Sequence, residues 1–159
     1  MRRTGLPCSN PAALLATWFG SGLLPWAPGS WGSLAALPFA WIIVTYAGSA
    51  GLLIAAAAVF AIGCWAAGRV ERASGVKDAP FIVIDEVAGQ WLTLVPAPLD
   101  PLFYLAGFLL FRLFDIAKPF PIRRIERAFP GGFGVMADDI AAGLYAALVL
   151  IVAEHVLAR

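Results

Sequence analysis

The sequence predicts an all-α membrane protein, a polytopic helix bundle of about five apolar helical segments preceded by an N-terminal interfacial helix. Three observations predict it. The apolar fraction is 61% and the charged fraction 13%, against about 45–50% and about 25% in soluble domains. A chain of 159 residues is too short to hide that much apolar surface from water. The apolar residues also fall into five runs, separated by tight turns or by polar loops. The length suits a single domain over residues 1–159.

The first element follows Ser9-Asn10-Pro11. Asn10 is a good N-cap and Pro11 suits a first helical turn. This helix runs to about Phe19 and ends at Gly20 and Gly22. It is too short to span, and with Trp18 and Phe19 it suits a position at the headgroups. Pro28-Gly29-Ser30-Trp31-Gly32-Ser33 then forms a rigid small-residue loop, where Ser30 or Ser33 can cap the next helix. A helix start there also presents backbone N–H groups to an anion.

The five runs lie near Leu34–Ala47, Gly51–Gly68, Phe81–Val95, Leu102–Ala117 and Ile140–Leu157. Each is a little shorter than the roughly 20 residues of a usual span. Gly48-Ser49-Ala50 turns the first into the second, and Pro96 to Pro101 turns the third into the fourth. With five crossings, ten of the eleven basic residues fall on one side: Arg2, Arg3, Arg69, Arg72, Lys77, Arg112, Lys118, Arg123, Arg124 and Arg127. Only Arg159 falls opposite. The positive-inside rule makes that side cytoplasmic. Arg123, Arg124 and Arg127 either set this topology or draw anionic headgroups to the surface.

The acids sort the same way. Asp78, Asp85, Glu86, Asp115, Asp138 and Asp139 are six of ten, and all fall within about two turns of that face. An ionised carboxylate in hydrocarbon costs several kcal/mol by typical estimates. Asp85 and Glu86, inside Phe81–Val95, therefore need a partner, or a place where water and a cation reach them. Hard carboxylate oxygens suit Mg²⁺, which is held by few carboxylates plus substrate phosphate and water. Arg112, Asp115 and Lys118 recur every three residues and share a helix face. Such a stripe can hold a metal through Asp115 and phosphate through Arg112 and Lys118, or form an ordinary ion pair. Gly131-Gly132-Phe133-Gly134 allows close backbone approach to a ligand. Asp138 is either an N-cap or a ligand, whereas Asp139 enters the helix and reads as a metal ligand.

Other classes are set aside on residues. Net charge is +1, so no global field steers nucleic acid here. Cys8 and Cys64 make neither a disulfide framework nor a metal spacing. Pro7, Asn10 and Pro11 interrupt any leader, so no cleavage is expected. His155 is the single histidine and lies near the far face, which argues against a histidine-nucleophile phosphatase. A transporter would place acids at several depths, and a non-catalytic lipid-binding subunit would not release phosphate.

Phe19-Gly20-Ser21-Gly22-Leu23, Pro28-Gly29-Ser30-Trp31-Gly32-Ser33, Ile84-Asp85-Glu86, the stretch from Phe111 to Ile122 and the stretch from Gly131 to Gly143 closely resemble the phosphatidylglycerophosphatase A family. The likeness covers nearly the whole chain. It implies a Mg²⁺-dependent enzyme of the bacterial cytoplasmic membrane, its active site facing the cytoplasm. Such an enzyme hydrolyses the terminal phosphomonoester of phosphatidylglycerophosphate to phosphatidylglycerol, a step of phospholipid biosynthesis, and no obligate protein partner is implied. Carried onto this chain, the family pattern assigns Asp85, Glu86, Asp115 and Asp139 to catalysis and metal. Asp138 and Asp78 support the metal, and Arg112, Lys118 and Ser30 bind phosphate. Two departures stand out. Lys77 and Ala79 flank Asp78 where some members have histidines, and Ser30 replaces a common threonine while keeping the hydroxyl.

Overall fold

This computed structural model describes residues 3–157, with the backbone alone at 126, 127 and 157. Arg2 and Arg159, both weighed for topology, lie outside the described residues, as does the side chain of Arg127. Among the described residues every regular element is helical: α1 Pro11–Ala16, a 3-10 turn Ser21–Leu23, α2 Pro28–Ser74, α3 Ile84–Leu94, α4 Pro101–Ala117, α5 Ile122–Ala128 and α6 Gly131–Leu157.

Asn10 caps α1 as expected, its side-chain oxygen accepting from Ala12 N–H at 2.9 Å. The helix is shorter than expected and is not simply interfacial. Ala12, Ala13 and Ala16 are buried, and Trp18 turns inward to stand edge-on to Trp91 at 5.6 Å. Phe19 alone of that aromatic pair is exposed.

α2 is continuous in sequence but reverses in direction. Gly48 has φ 66° and ψ −175°, a backbone state that side-chain-bearing residues rarely adopt. Gly32 packs on Val83, and Gly63 lies against Ile84. Val83 and Ile84 are adjacent, yet an unbroken helix would hold residues 32 and 63 about 46 Å apart at ~1.5 Å per residue. The arms 28–47 and 49–74 therefore lie side by side, and the turn expected at Gly48-Ser49-Ala50 is there. Neither Ser30 nor Ser33 caps this helix. The helix begins at Pro28 without a side-chain cap, and Ser33 Oγ donates to Gly29 O at 2.9 Å.

The expectation of five spans needs correction. Two helices are long and apolar enough to cross a membrane, α2 over Pro28–Ser74 and α6 over Gly131–Val156. α3 has 11 residues and is about 16 Å long, roughly half a hydrocarbon core. It is apolar because protein surrounds it: from Ile84 to Leu94 only Glu86 and Leu92 are not fully buried. α4 has 17 residues and also falls short of a span. Asp100, at the far end, caps α4 by accepting from Leu102 N–H at 2.8 Å.

Charged residues from several elements still gather at one end of the described bundle. α2 goes out and returns, and α3 and α4 do the same. Gly29, Arg112 and Glu86 therefore meet at one end, and Arg72 lies beside Gly68, which faces Gly132 at the start of α6.

α3 is the central post. Trp91 Nε1–H donates to Ala36 O on the first arm of α2 at 3.0 Å. Val83 N–H donates to Ala16 O at 2.8 Å, fixing the start of α3 against α1. Against α6, Gly89 and Gly143 bring backbone onto backbone. A Cβ on Gly143 would stand 2.6 Å from Gly89 O. Small residues allow such close crossings where no water drives helices together.

Candidate active site

The Gly89–Gly143 crossing places one turn of α3 beside one turn of α6. Asp85 is four residues before Gly89, and Asp139 four before Gly143. Side chains four apart share a helix face, so the crossing aims both acids at the same space. Asp85, Glu86 and Asp139 each bring one carboxylate oxygen to within 4.8 Å of the others. Asp85 is 7% exposed and Asp139 4%. Asp85 Oδ1, Glu86 Oε2 and Asp139 Oδ2 are buried without a hydrogen-bond partner.

Like charges are in contact here. The Asp85 carboxyl meets that of Glu86, and the Asp115 carboxyl meets that of Asp139. α3 is neither of the two helices long and apolar enough to cross a membrane, and burial is the main cause of raised pKa values at its acids. Asp85 is pushed well above the usual carboxylate range, first by burial and then by Glu86 and Asp139. Glu86 is pushed up to about 7, again first by burial. Acids held this way bind either a proton or a cation. One oxygen from each of three carboxylates at this spacing fits a hard divalent ion such as Mg²⁺.

Two cations frame the cluster. Arg112 Nη1 lies 2.6 Å from Asp115 Oδ2 and 3.6 Å from Glu86 Oε1. Lys118 Nζ donates to Asp138 Oδ2 at 2.6 Å. Lys118 sits in the left-handed region (φ 43°) as α4 ends, which turns its side chain toward α6. Arg112 Nε is buried without a partner. The stripe expected on α4 is therefore present, but each of its cations is already engaged by an acid of the site.

A cavity of about 320 Å³ gathers these groups. All six acids singled out in the sequence line it, together with Arg112 and Lys118. They arrive from the loop before α3, α3 itself, the end of α4 and α6. Asp78 is held in place because its N–H donates to Glu71 Oε1 at 2.7 Å. Ser30 is not on the wall. Its neighbours Ala27, Pro28 and Gly29 are, so the start of α2 does reach the site. A Cβ on Gly29 would collide with Glu86 Oε1. Gly29 was thus missed, although it lay in the singled-out loop.

Two further readings change. Asp138 does not cap a helix: α6 begins at Gly131, so Asp138 and Asp139 lie about two turns inside it. Gly132 approaches backbone as expected of the glycine stretch, but its neighbour is Cys64 O of α2 and not a ligand.

The chain also carries matches to known proteins. The family model for phosphatidylglycerophosphatase A matches residues 14–154. The phosphatidylglycerophosphatase A of Haemophilus influenzae is 42% identical over 147 residues, covering 92% of this chain and 90% of that protein. Its counterpart in Escherichia coli is 41% identical over 154 residues, covering 96% and 89%. A Bacteroides thetaiotaomicron protein, provisionally named a phosphatidylinositol-3-phosphatase, is 40% identical over 157 residues, covering 91% and 94%. No solved structure matches this chain.

Proposed function

The chain belongs to the phosphatidylglycerophosphatase A family and is a phosphatase, and from that premise we propose that it hydrolyses the terminal phosphomonoester of phosphatidylglycerophosphate with Mg²⁺, at the cytoplasmic face of the bacterial inner membrane. The protein would cross the bilayer more than once and serve phospholipid biosynthesis. One observation carries the reading: buried carboxylate oxygens from two helices meet within 4.8 Å, in a cavity that Arg112 and Lys118 also line.

Asp85, Glu86 and Asp139 would hold the ion, with Asp115, Asp138 and Asp78 beside them. The ion would supply neutralisation of phosphate charge and Lewis acidity. Arg112 and Lys118 orient the phosphate. A guanidinium carries five donors, so Arg112 keeps N–H groups for phosphate oxygens while bound to Asp115, and Lys118 adds its positive charge beside Asp138. Those two acids fix where the donors point. Burial of most of α3 excludes bulk water beneath the reacting group. Hydrolysis in isotope-labelled water under single turnover separates attack by water from attack by an aspartate.

An ion path is disfavoured by depth. At the far end Asp100 is spent on a helix cap, and Glu154 is exposed. The name of the Bacteroides relative makes phosphatidylinositol 3-phosphate a useful second substrate in the test. Purified protein in detergent should release phosphate from phosphatidylglycerophosphate, lose that activity to a chelator and regain it with Mg²⁺. Asp85→Asn and Asp139→Asn should fold normally and lose turnover by orders of magnitude. Near-normal turnover in both variants, or indifference to chelation, overturns the reading.

A further inference from the structure

A second cavity, of about 350 Å³, adjoins the one that holds the acids. Asp78 and Asp138 line both. Across that shared wall the chemistry changes. Asp85, Glu86, Asp115 and Asp139 do not line the second cavity; Lys77, from the loop before α3, and Arg123, from α5, do. Phe129 and Val135 give it an apolar side. Phe129 is 46% exposed and stands edge-on, at 5.1 Å, to the similarly exposed Phe133, so that side opens outward over apolar surface.

We propose that this second cavity is the subsite for the phosphodiester of the lipid substrate, held by Lys77 and Arg123, with the acyl chains leaving over Phe129 and Phe133. The proposal rests on the lipid phosphatase reading above. Such a substrate carries two phosphates joined through a three-carbon glycerol. The one to be cleaved belongs with the metal-competent acids and the clamp of Arg112 and Lys118. The other is a singly charged diester. It needs cations, and fork-shaped guanidinium donors suit its two free oxygens. Lys77 and Arg123, beyond the wall that Asp78 and Asp138 share with the reaction chamber, meet that need. Lys77 and Arg123 then determine specificity: they distinguish a phosphomonoester lipid that has the second phosphate from one that lacks it.

Arg124 supplies the control. It is next to Arg123 on α5 and has the same charge, but its guanidinium lies over the Phe120 ring at 4.9 Å, away from the wall of this cavity. The test measures KM and kcat for short-chain phosphatidylglycerophosphate and for phosphatidic acid of the same chains, in the same detergent. Lys77→Met and Arg123→Gln should each raise KM for the first by at least about tenfold, the loss of one charge-assisted contact. They should leave kcat, and the KM for phosphatidic acid, unchanged. Arg124→Gln should move neither. Equal changes on both lipids, or an equal change in Arg124→Gln, reduces the effect to general attraction of anionic lipid and overturns the subsite.

A second arm does not need turnover. Short-chain phosphatidylglycerol carries only the diester, and its binding to wild-type protein should weaken about tenfold or more in Lys77→Met and Arg123→Gln, but not in Asp139→Asn. Unweakened binding overturns the subsite even where phosphatase activity is intact. Should the wild type hydrolyse no lipid phosphomonoester, the proposed function fails, and this arm still decides the subsite. Inorganic phosphate should not displace phosphatidylglycerol at matched concentration; displacement would make the cavity a general phosphate site and overturn the diester assignment.

Discussion

Substituting Gly143 with alanine tests whether the helix crossing sets the site, because it pushes α3 and α6 apart without touching a charged group. The new Cβ would stand 2.6 Å from Gly89 O, whereas ordinary contact begins at 3.4 Å. The two backbones must therefore part by about 0.8 Å at that point, unless a neighbour yields. Asp139 and Asp85 lie one turn from the contact on their respective helices and move with them. A displacement near 1 Å at reacting groups can cost on the order of 10²-fold in rate. Stability should change much less. Overpacking costs about 1–3 kcal/mol, and replacing a helical glycine by alanine returns up to about 1 kcal/mol. Gly68→Ala is the matched control, since its nearest neighbour would be Arg72 Nη1 at 3.5 Å, ordinary contact. The assay is turnover and the Mg²⁺ midpoint, with thermal melts beside them. Gly143→Ala should stay folded, turn over about a hundredfold slower and need more Mg²⁺, while Gly68→Ala behaves as wild type. A folded Gly143→Ala with unaltered turnover and Mg²⁺ dependence would refute the claim that this crossing positions the acids.

Lys118→Met should destabilise the protein by about 3–5 kcal/mol, because it leaves the Asp138 carboxylate, 5% exposed, without its ammonium partner. Adding Asp138→Asn should recover most of that loss in chemical denaturation. Gln90→Met should raise stability by about 1–2 kcal/mol with turnover unchanged. Both polar atoms of that carboxamide are buried without a partner, and such a group costs about this much.

The acids were legible because charge is expensive in an apolar chain. Asp85 and Glu86 sit in a run where nothing else is polar until Gln90, so chemistry had to explain them. Asp78, Asp115, Asp138 and Asp139 fell at the same face by counting, and all six line one cavity. The spans were less legible. Hydropathy registers apolarity but not what covers it, and protein around α3 produces the same signal as lipid. The reversal at Gly48 could be read from the small residues there. The start of α6 could not. Gly131 and Gly132 look like loop residues, yet Gly132 lies in the helix and lets it approach Cys64 O. The inward turn of Trp18 depends on Trp91, 73 residues further along the chain, and no local pattern announces it.

The central claim is that carboxylates from separate helices share one divalent ion. Mn²⁺ titration followed by electron paramagnetic resonance, on detergent-purified wild type, Glu86→Gln, Asp139→Asn and the double variant, tests it most directly. One shared ion should give tight binding in the wild type, at least about a tenfold loss in either single variant and less than the sum of the two losses in the double variant. Wild-type Mn²⁺ affinity in both single variants would contradict it.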